Sequence, residues 1–345
     1  MKNVRFGLIG YGAWGSHHAR AIAQTQGAQL AAIASRSDTS RSAAQAAHPG
    51  ARIYADYRTL LEQEELEVVD VVLPTDLHYP VAKAVLESRR HLLLEKPMAA
   101  RLDHCDELIA LAQANGLHLA IGFELRHSSL WGKVHELIAA GAVGEPLYLL
   151  IELWRRPYRL GSEGWRYDIN RVGNWILEEP IHFFDLARWY LPGEPVSVYA
   201  RANSRQADHP ELQDNFSAVL NFSSGAYAVI SQTLAAFEHH QSVKLTGTRG
   251  SLWARWSGAL DRDLHPTFAL RHHDGDKVTE IPIARSAGEV FELEDEIAMM
   301  ARTVREGAPP AATGHDGRWA VALCLAAQQS AVTASVIPLL AEKPA

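Results

Sequence analysis

The chain has 345 residues, long for one domain and ample for two. Hydrophobic residues make up 47% and charged ones 21%, an ordinary globular balance, and the net charge of −7 gives no electrostatic reason to expect nucleic acid as a partner. Cys105 and Cys324 are too few for a disulfide framework and sit in apolar helical patterns, where buried thiols are expected. Met1-Lys2-Asn3 runs straight into a strand-like pattern, and no window reaches the ~18 uninterrupted apolar residues of a membrane span. The expected location is the cytoplasm, so the Asn-Phe-Ser sequons at Asn215 and Asn221 count as chance matches.

In chain order, Val4–Gly10, Leu30–Ala34, Val68–Leu73, His91–Leu94 and Leu117–Ile121 are short runs rich in Val, Ile and Leu that predict buried strands. Between them, Ser16–Thr25, Ser40–Ala47, Tyr79–Ser88 and Leu102–Asn115 carry apolar residues at helical spacing. Strands alternating with helices imply βαβ units, hence a doubly wound α/β domain with a parallel sheet over residues 1–122. From Phe123 the character changes, and residues 123–345 read as a second domain. It opens with a helix at His135–Ala140 closed by Gly141 and a strand at Pro146–Trp154. An irregular segment, Arg155–Asn174, precedes a helix through Ile181–Tyr190. Strand-like runs at Val196–Ala202, Phe216–Phe222, Tyr227–Leu234 and Ser242–Thr246 favour an antiparallel or mixed sheet. Helical patterns Leu293–Arg305 and Asp316–Ser335 close the chain, with no repeat or low-complexity tract.

Gly10-Tyr11-Gly12-Ala13-Trp14-Gly15 fits G-x-G-x-x-G, and here the pattern follows a strand and opens a helix, the context in which it cradles a dinucleotide. The first glycine allows the tight turn, the second lets pyrophosphate approach the backbone, and the third lets helix and strand pack closely. The helix N-terminus faces the phosphates. An acid about twenty residues further on would bind the adenosine ribose and favour NAD. Ser35-Arg36-Ser37 stands there instead, and a guanidinium suits a 2′-phosphate, so NADP is favoured over NAD. The other reading of Arg36 is that it stacks on adenine and either cofactor binds. Seventeen histidines invite a metal reading, but the adjacent pairs cannot easily face one ion and no His-Glu-x-x-His or Cys-x-x-Cys occurs. No metal is expected.

Glu95-Lys96-Pro97 follows a buried strand whose C-terminal end would lie at the crevice where such sheets bind ligands. With Gly10–Gly15 upstream and Gly173, His182 and Asp185 downstream, the chain resembles the glucose-fructose oxidoreductase / inositol dehydrogenase / rhizopine-catabolism (Gfo/Idh/MocA) family over essentially its whole length. Asp316-Gly317 and the Ala-rich helix with Ser330 resemble that family's C-terminal helix. The resemblance implies a Rossmann domain plus a C-terminal α/β domain with a large open, mainly antiparallel sheet. It also implies a homodimer or homotetramer and oxidation of a secondary alcohol on a sugar or polyol, or the reverse reduction. By the same likeness Lys96 would touch substrate and cofactor, and His182 would act as acid/base. The cofactor set is then Gly10, Tyr11, Gly12, Ala13, Trp14, Gly15, Ser35, Arg36, Pro74, Thr75, His78, Glu95 and Lys96.

One departure stands out. The family usually has Asp four residues before its His and Gly two before, where this chain has Glu178 and Pro180. Proline fits the first helical turn, so the helix is expected to begin near Pro180 with Glu178 on the loop before it, its reach and angle altered. His182 could take the hydroxyl proton, Lys96 would stabilise the developing alkoxide, and Glu178 could orient either group. Without the resemblance His182 reads equally as a helix histidine beside Phe183, Phe184 and Trp189.

Arg155, Arg156, Arg159, Arg166 and Arg171 are interleaved with Tyr158, Trp165, Tyr167 and Trp175. This segment reads either as a solvated loop anchored by aromatics or as a pocket with flat walls and guanidinium groups for hydroxyls or an anion. Arg126, His127, Arg156, Tyr158, Trp165, Arg166 and Trp175 are the candidate substrate residues. If two of Arg126, Arg156 and Arg166 face a ligand, an acidic cyclic substrate should be preferred. The leading expectation is a dehydrogenase or reductase of a cyclic polyol, sugar or sugar acid, with no nucleic acid or membrane partner. Two others stay open: a nicotinamide-dependent glycoside-cleaving enzyme without net redox change, and a non-catalytic nucleotide-binding protein.

Overall fold

The computed structural model describes residues 3–205 and 208–339; the outermost ends of the two expected domains, residues 1–2 and 340–345, lie outside them. The chain forms two compact units, one of the described residues up to Glu124 with Leu293–Val321, the other of Leu125–Glu292 with the described residues from Ala322.

The first unit holds strands β1 (Val4–Ile9), β2 (Ala28–Ala34), β3 (Arg52–Tyr54), β4 (Val68–Val71), β5 (His91–Glu95) and β6 (Leu119–Gly122). Helices α1 (Gly15–Gln24), α2 (Asp38–Ala47), α3 (Tyr57–Gln63), α4 (His78–Glu87) and α5 (Leu102–Asn115) connect them. The strands lie in the order β3-β2-β1-β4-β5-β6, all parallel. Helices cover both faces of such a sheet, which is why β4 is buried at every residue, Asp70 included. Strand order reverses between β1 and β4, the switch point at whose carboxyl ends ligands bind in such sheets. Local chemistry sets the helix ends: Ser37 and Asp56 accept from the first turns of α2 and α3, and Gly116 at φ +65° terminates α5.

The second unit carries α6 (Trp131–Ala139), β7 (Pro146–Arg155), α7 (Ile169–Val172), α8 (Pro180–Tyr190), β8 (Pro195–Asn203), β9 (Asn215–Phe222), β10 (Tyr227–Thr233), β11 (His239–Gly247), β12 (Ser251–Gly258), β13 (Thr267–His273) and β14 (Val278–Glu280). Helices α9 (Glu289–Glu306) and α10 (Gly314–Thr333) and the short β15 (Ile337–Pro338) complete the order. The nine-stranded sheet runs β14-β13-β12-β11-β7-β10-β9-β8-β15; only β10 with β7 is parallel. Alternation fixes its inner face: Leu149, Ile151 and Leu153 of β7 are buried with Ala228 and Ile230 of β10 and Val243 and Leu245 of β11. Helix α8 packs on this face through a run from Pro180 to Ala187 that is buried throughout.

Helix α9 differs from the expectation of one cut at 122. From Leu293 on it buries Leu293, Ile297, Met300 and Ala301 in the same core as Phe6, Leu8, Ile22 and Val68, which makes it part of the first unit.

Candidate active site

In the first unit the expected cofactor residues gather at the carboxyl ends of β1, β2, β4 and β5. The three loop glycines have distinct physical roles. Gly10 has φ +104°, and a Cβ there would lie 2.0 Å from the Val72 carbonyl oxygen; one on Gly15 would lie 2.0 Å from the Gly10 oxygen. Nothing lies within 4 Å of the Cβ position of Gly12. Two glycines are thus needed for backbone packing, and the exposed middle one leaves room for a phosphate to reach the chain, a cradle that fits a dinucleotide. Tyr11 is buried with its ring edge-on to His48, Ala13 is exposed, and Trp14 is half-buried.

At the end of β2, Arg36 is exposed and Ser35 half-buried. Arg41, absent from the sequence expectation, donates to the Ser35 carbonyl at 2.9 Å and to that of Arg36 at 2.5 Å, and pairs with Asp38. The nearby carboxylate is therefore already engaged by a cation. Its signal was legible only as an i,i+3 Asp–Arg pair on the helix.

Pro74 and Thr75 lead from β4 into α4. His78 has Nδ1 2.6 Å from the Pro97 carbonyl oxygen and Nε2 2.7 Å from that of Leu73. Standing between two carbonyls, this buried ring ties the loop after β4 to the Glu-Lys-Pro loop, and in its neutral form donates to one of them. Burial pushes its pKa down, partly offset by the two carbonyls.

Glu95 ends β5 in a buried polar knot. Its Oε1 accepts from the Trp14 indole at 2.8 Å and lies 3.0 Å from His18 Nε2, while its Oε2 accepts from the Lys96 backbone N–H at 3.1 Å. His18 Nδ1 is 2.8 Å from Asp70 Oδ2 on β4. Burial opposes the Glu95 charge, but His18, Lys96 and Trp14 overcome it and hold the carboxyl at about 2. Lys96 itself is half-buried.

In the second unit, Pro180 is the first residue of α8, as proline chemistry predicts, and Glu178 lies on the preceding loop. Glu178 is buried and ion-paired with Arg166, whose guanidinium also sits 4.5 Å above the Trp165 ring. The neighbouring Glu179 turns elsewhere, pairing with Arg155 and standing 3.4 Å from His239. His182 lies within the first turn of α8, buried at 5% exposure, its backbone N–H bonded to the Glu179 carbonyl.

The aromatics split from one another. Trp175 is 1% exposed, donates its indole N–H to the Arg166 carbonyl at 2.8 Å, and meets Tyr158 and Tyr167 edge-on. Tyr158, Trp165, Val172 and Trp175 form one apolar cluster with Leu212 and Leu234, so here the anchoring reading describes the rings better than the flat-wall one. Tyr158 still brings a buried hydroxyl with no partner, beneath the Arg155 guanidinium at 4.8 Å. His127 is half-buried and Arg156 exposed.

The arginines are mostly neutralised. Arg126 makes two bonds to Asp185, at 2.8 and 2.6 Å. Arg155 pairs with Glu179 and Asp261, Arg159 with Asp261, and Arg171 with Glu163. Two buried groups escaped the sequence reading: Gln232 on β10, with neither amide atom bonded, and His239 on β11, whose Nδ1 is likewise unpartnered. Each occupies an inward position of an alternating strand, the only sequence signal available. Among the described residues, no group of three or more His, Cys, Asp or Glu could hold a metal ion. No described helix is long and apolar enough to cross a membrane.

A coenzyme-type sheet joined in one chain to a broad mixed sheet defines an oxidoreductase class, and comparison with known proteins identifies it. Residues 4–123 match the oxidoreductase family with an NAD-binding Rossmann fold, and residues 131–253 match the Gfo/Idh/MocA C-terminal domain. The oxidoreductase YdgJ of Escherichia coli K12 is 30% identical over 260 residues, 72% of this chain and 70% of that protein. Myo-inositol 2-dehydrogenase of Thermotoga maritima is 27% identical over 332 residues, covering 95% and 96%. The crystal structure of an oxidoreductase domain protein from Kribbella flavida superposes with a TM-score of 0.87 at 21% identity, over 99% of this chain and 100% of that one, a likeness of fold. The chain belongs to the Gfo/Idh/MocA oxidoreductase family. It is an oxidoreductase with the NAD-binding Rossmann domain of that family.

Proposed function

We propose that the protein moves a hydride between nicotinamide and a secondary alcohol or ketone of a neutral cyclic polyol or sugar, with NADP preferred over NAD. The observation that carries the substrate class is charge pairing. Arg126, Arg155, Arg159, Arg166 and Arg171 each already have a carboxylate partner. At Arg126, Arg155 and Arg166 a ligand anion would have to displace a buried carboxylate, which left without its cation is costly, and the remaining candidate, Arg156, is exposed. Hydroxyl groups can instead share such pairs without displacing either member. The name of the Thermotoga relative, a myo-inositol dehydrogenase, fits the same class.

The bound nicotinamide would supply the hydride chemistry. On this reading His182 takes the hydroxyl proton, the Lys96 ammonium steadies the developing alkoxide, and Glu178 acts through Arg166, its partner in the structure. The turn that Gly10 and Gly15 build would seat the pyrophosphate at Gly12, and Arg36 would meet the 2′-phosphate. Two copies or four, joined across the outer face of the nine-stranded sheet, and a cytoplasmic location complete the proposal.

Paired assays of a neutral sugar or inositol and its carboxylated counterpart, following reduced cofactor, test the substrate class. We expect the neutral compound to lead by about tenfold or more in kcat/KM, the scale of one charge-assisted bond. An acid preferred by that margin, lost in Arg166→Ala, would overturn it. Stoichiometric accumulation of reduced cofactor separates this reading from glycoside cleavage without net redox change, and turnover of any kind separates it from a non-catalytic binding protein.

A further inference from the structure

Helix α1 begins with the phosphate loop and ends its first turn on His18, a histidine with no exposed surface. It stands between two carboxylates on adjacent strands, Asp70 of β4 at 2.8 Å from Nδ1 and Glu95 of β5 at 3.0 Å from Nε2. Asp70 is fully buried and Glu95 nearly so. Two carboxylates this deep favour a cation between them, so the ring is held as an imidazolium, its Nδ1 hydrogen-bonded to Asp70 and its Nε2 at ion-pair distance from Glu95. Burial lowers its pKa, yet Asp70 and Glu95 together raise it well above the ordinary histidine value. Burial raises the Asp70 carboxyl, with His18 pulling it back.

Glu95 passes this constraint on. One oxygen takes the indole N–H of Trp14 from the phosphate loop, the other the backbone N–H of Lys96. Gly122 on β6 leaves the space: a Cβ there would lie 3.2 Å from Glu95 Oε1. A buried carboxylate that accepts from Trp14 and Lys96 and faces His18 cannot rotate without breaking several contacts at once.

We propose that His18, held by Asp70, is a positioning residue that locks Glu95 and through it sets both Lys96 and the phosphate loop for the bound cofactor. This rests on the reading of Lys96 given above. Asp70 itself lies beyond the imidazole from Glu95; apart from the like-charge repulsion between the two carboxylates, it reaches the Glu-Lys-Pro loop through His18. The other charged or titratable groups acting on Glu95 are Lys96, Asp70 by like-charge repulsion and, at longer range, His78.

Asp70→Asn is therefore the informative variant. It keeps the shape, removes the charge that most favours the imidazolium, and leaves the hydrogen bonds of Glu95 and the Lys96 side chain in place, while relieving the repulsion between Asp70 and Glu95. We expect kcat to fall by about tenfold, the loss of one charge-assisted restraint, and the alkaline decline of kcat to begin at lower pH because His18 then gives up its proton sooner. In a Lys96→Met background the same substitution should cost little more, since both losses then fall on one group. Amide exchange at Lys96, read without turnover, should quicken in Asp70→Asn and in the independent variant His18→Gln. Thermal melting checks that each variant is folded. An unmoved alkaline limb, fully additive effects with Lys96→Met, or unchanged exchange at Lys96 in a folded variant would each overturn the relay. Normal turnover in Lys96→Met would instead remove Lys96 from the chemistry and leave the relay to stand or fall on the exchange measurement.

Discussion

At the end of β2 the chain places two guanidinium groups and one carboxylate, Asp38, and Arg41 holds that carboxylate. An adenosine ribose with free hydroxyls finds no unengaged acid in this loop, whereas a 2′-phosphate finds Arg36 exposed above the loop that Arg41 braces. Arg36→Ala should weaken NADP binding by about ten- to a hundredfold, the worth of a guanidinium–phosphate pair, and leave NAD within a few-fold. Titration of both cofactors by fluorescence checks it; an unchanged ratio would give the preference another origin. At this scale the sequence was uneven. The glycine loop could be read because each glycine answers a backbone demand that no other residue meets. The fates of Glu178, Arg126 and His78 could not. A carboxylate near an arginine in sequence says nothing of whether the two will pair, and both Glu178 with Arg166 and Arg126 with Asp185 join residues a dozen or more apart. His18 was overlooked for a similar reason, since its partners come from two other strands.

Among the elements, the strand–loop–helix unit β1–α1 separates two jobs that one motif performs. Gly15 faces the Gly10 carbonyl so closely that a Cβ would overlap backbone, while Gly12 faces open space. Gly12→Ala should leave the melting temperature within about 2 °C, since no contact is crowded, and raise the cofactor Kd by about tenfold or more by obstructing the phosphate. Gly15→Ala should destabilise the fold itself by about 1–3 kcal/mol, the cost of an overpacked contact, even without cofactor. If Gly12→Ala bound cofactor normally, the cradle would have to lie elsewhere. The parallel sheet was legible because its strands are apolar on both faces, and only β3 and α3, three and seven residues long, slipped beneath the periodicity. The far half of the mixed sheet was harder. β12 carries Trp253 outward and Trp256 inward, so its alternation of burial is invisible to an alternation of polarity, and in β13 Leu270 alone is fully buried.

For the whole molecule, the division into units is not a division of the chain. Leu293–Val321 returns to the cofactor-binding unit after nearly 170 intervening residues, and no local pattern could announce this because an amphipathic helix does not specify which core it will meet. The energetic consequence can be measured. Ile297 is fully buried among residues of β1, β2, α1 and α9, and its loss should leave a cavity in the cofactor-binding core. Ile297→Ala should therefore cost about 2–5 kcal/mol. Ile230, also fully buried but on β10 of the mixed sheet, gives a matched deletion in the other unit. Saturating cofactor binds only the folded first unit, and at a hundredfold excess over Kd it stabilises that unit by about 2.7 kcal/mol. Amide exchange resolved by element should then show β1 and β4 loosened by Ile297→Ala and tightened again by cofactor. In Ile230→Ala the loosening should centre on β9 and β10, with cofactor restoring little of it. If cofactor rescued both variants equally, stability would be shared across the chain rather than held unit by unit. If it rescued neither, cofactor binding would not be coupled to the core that α9 completes.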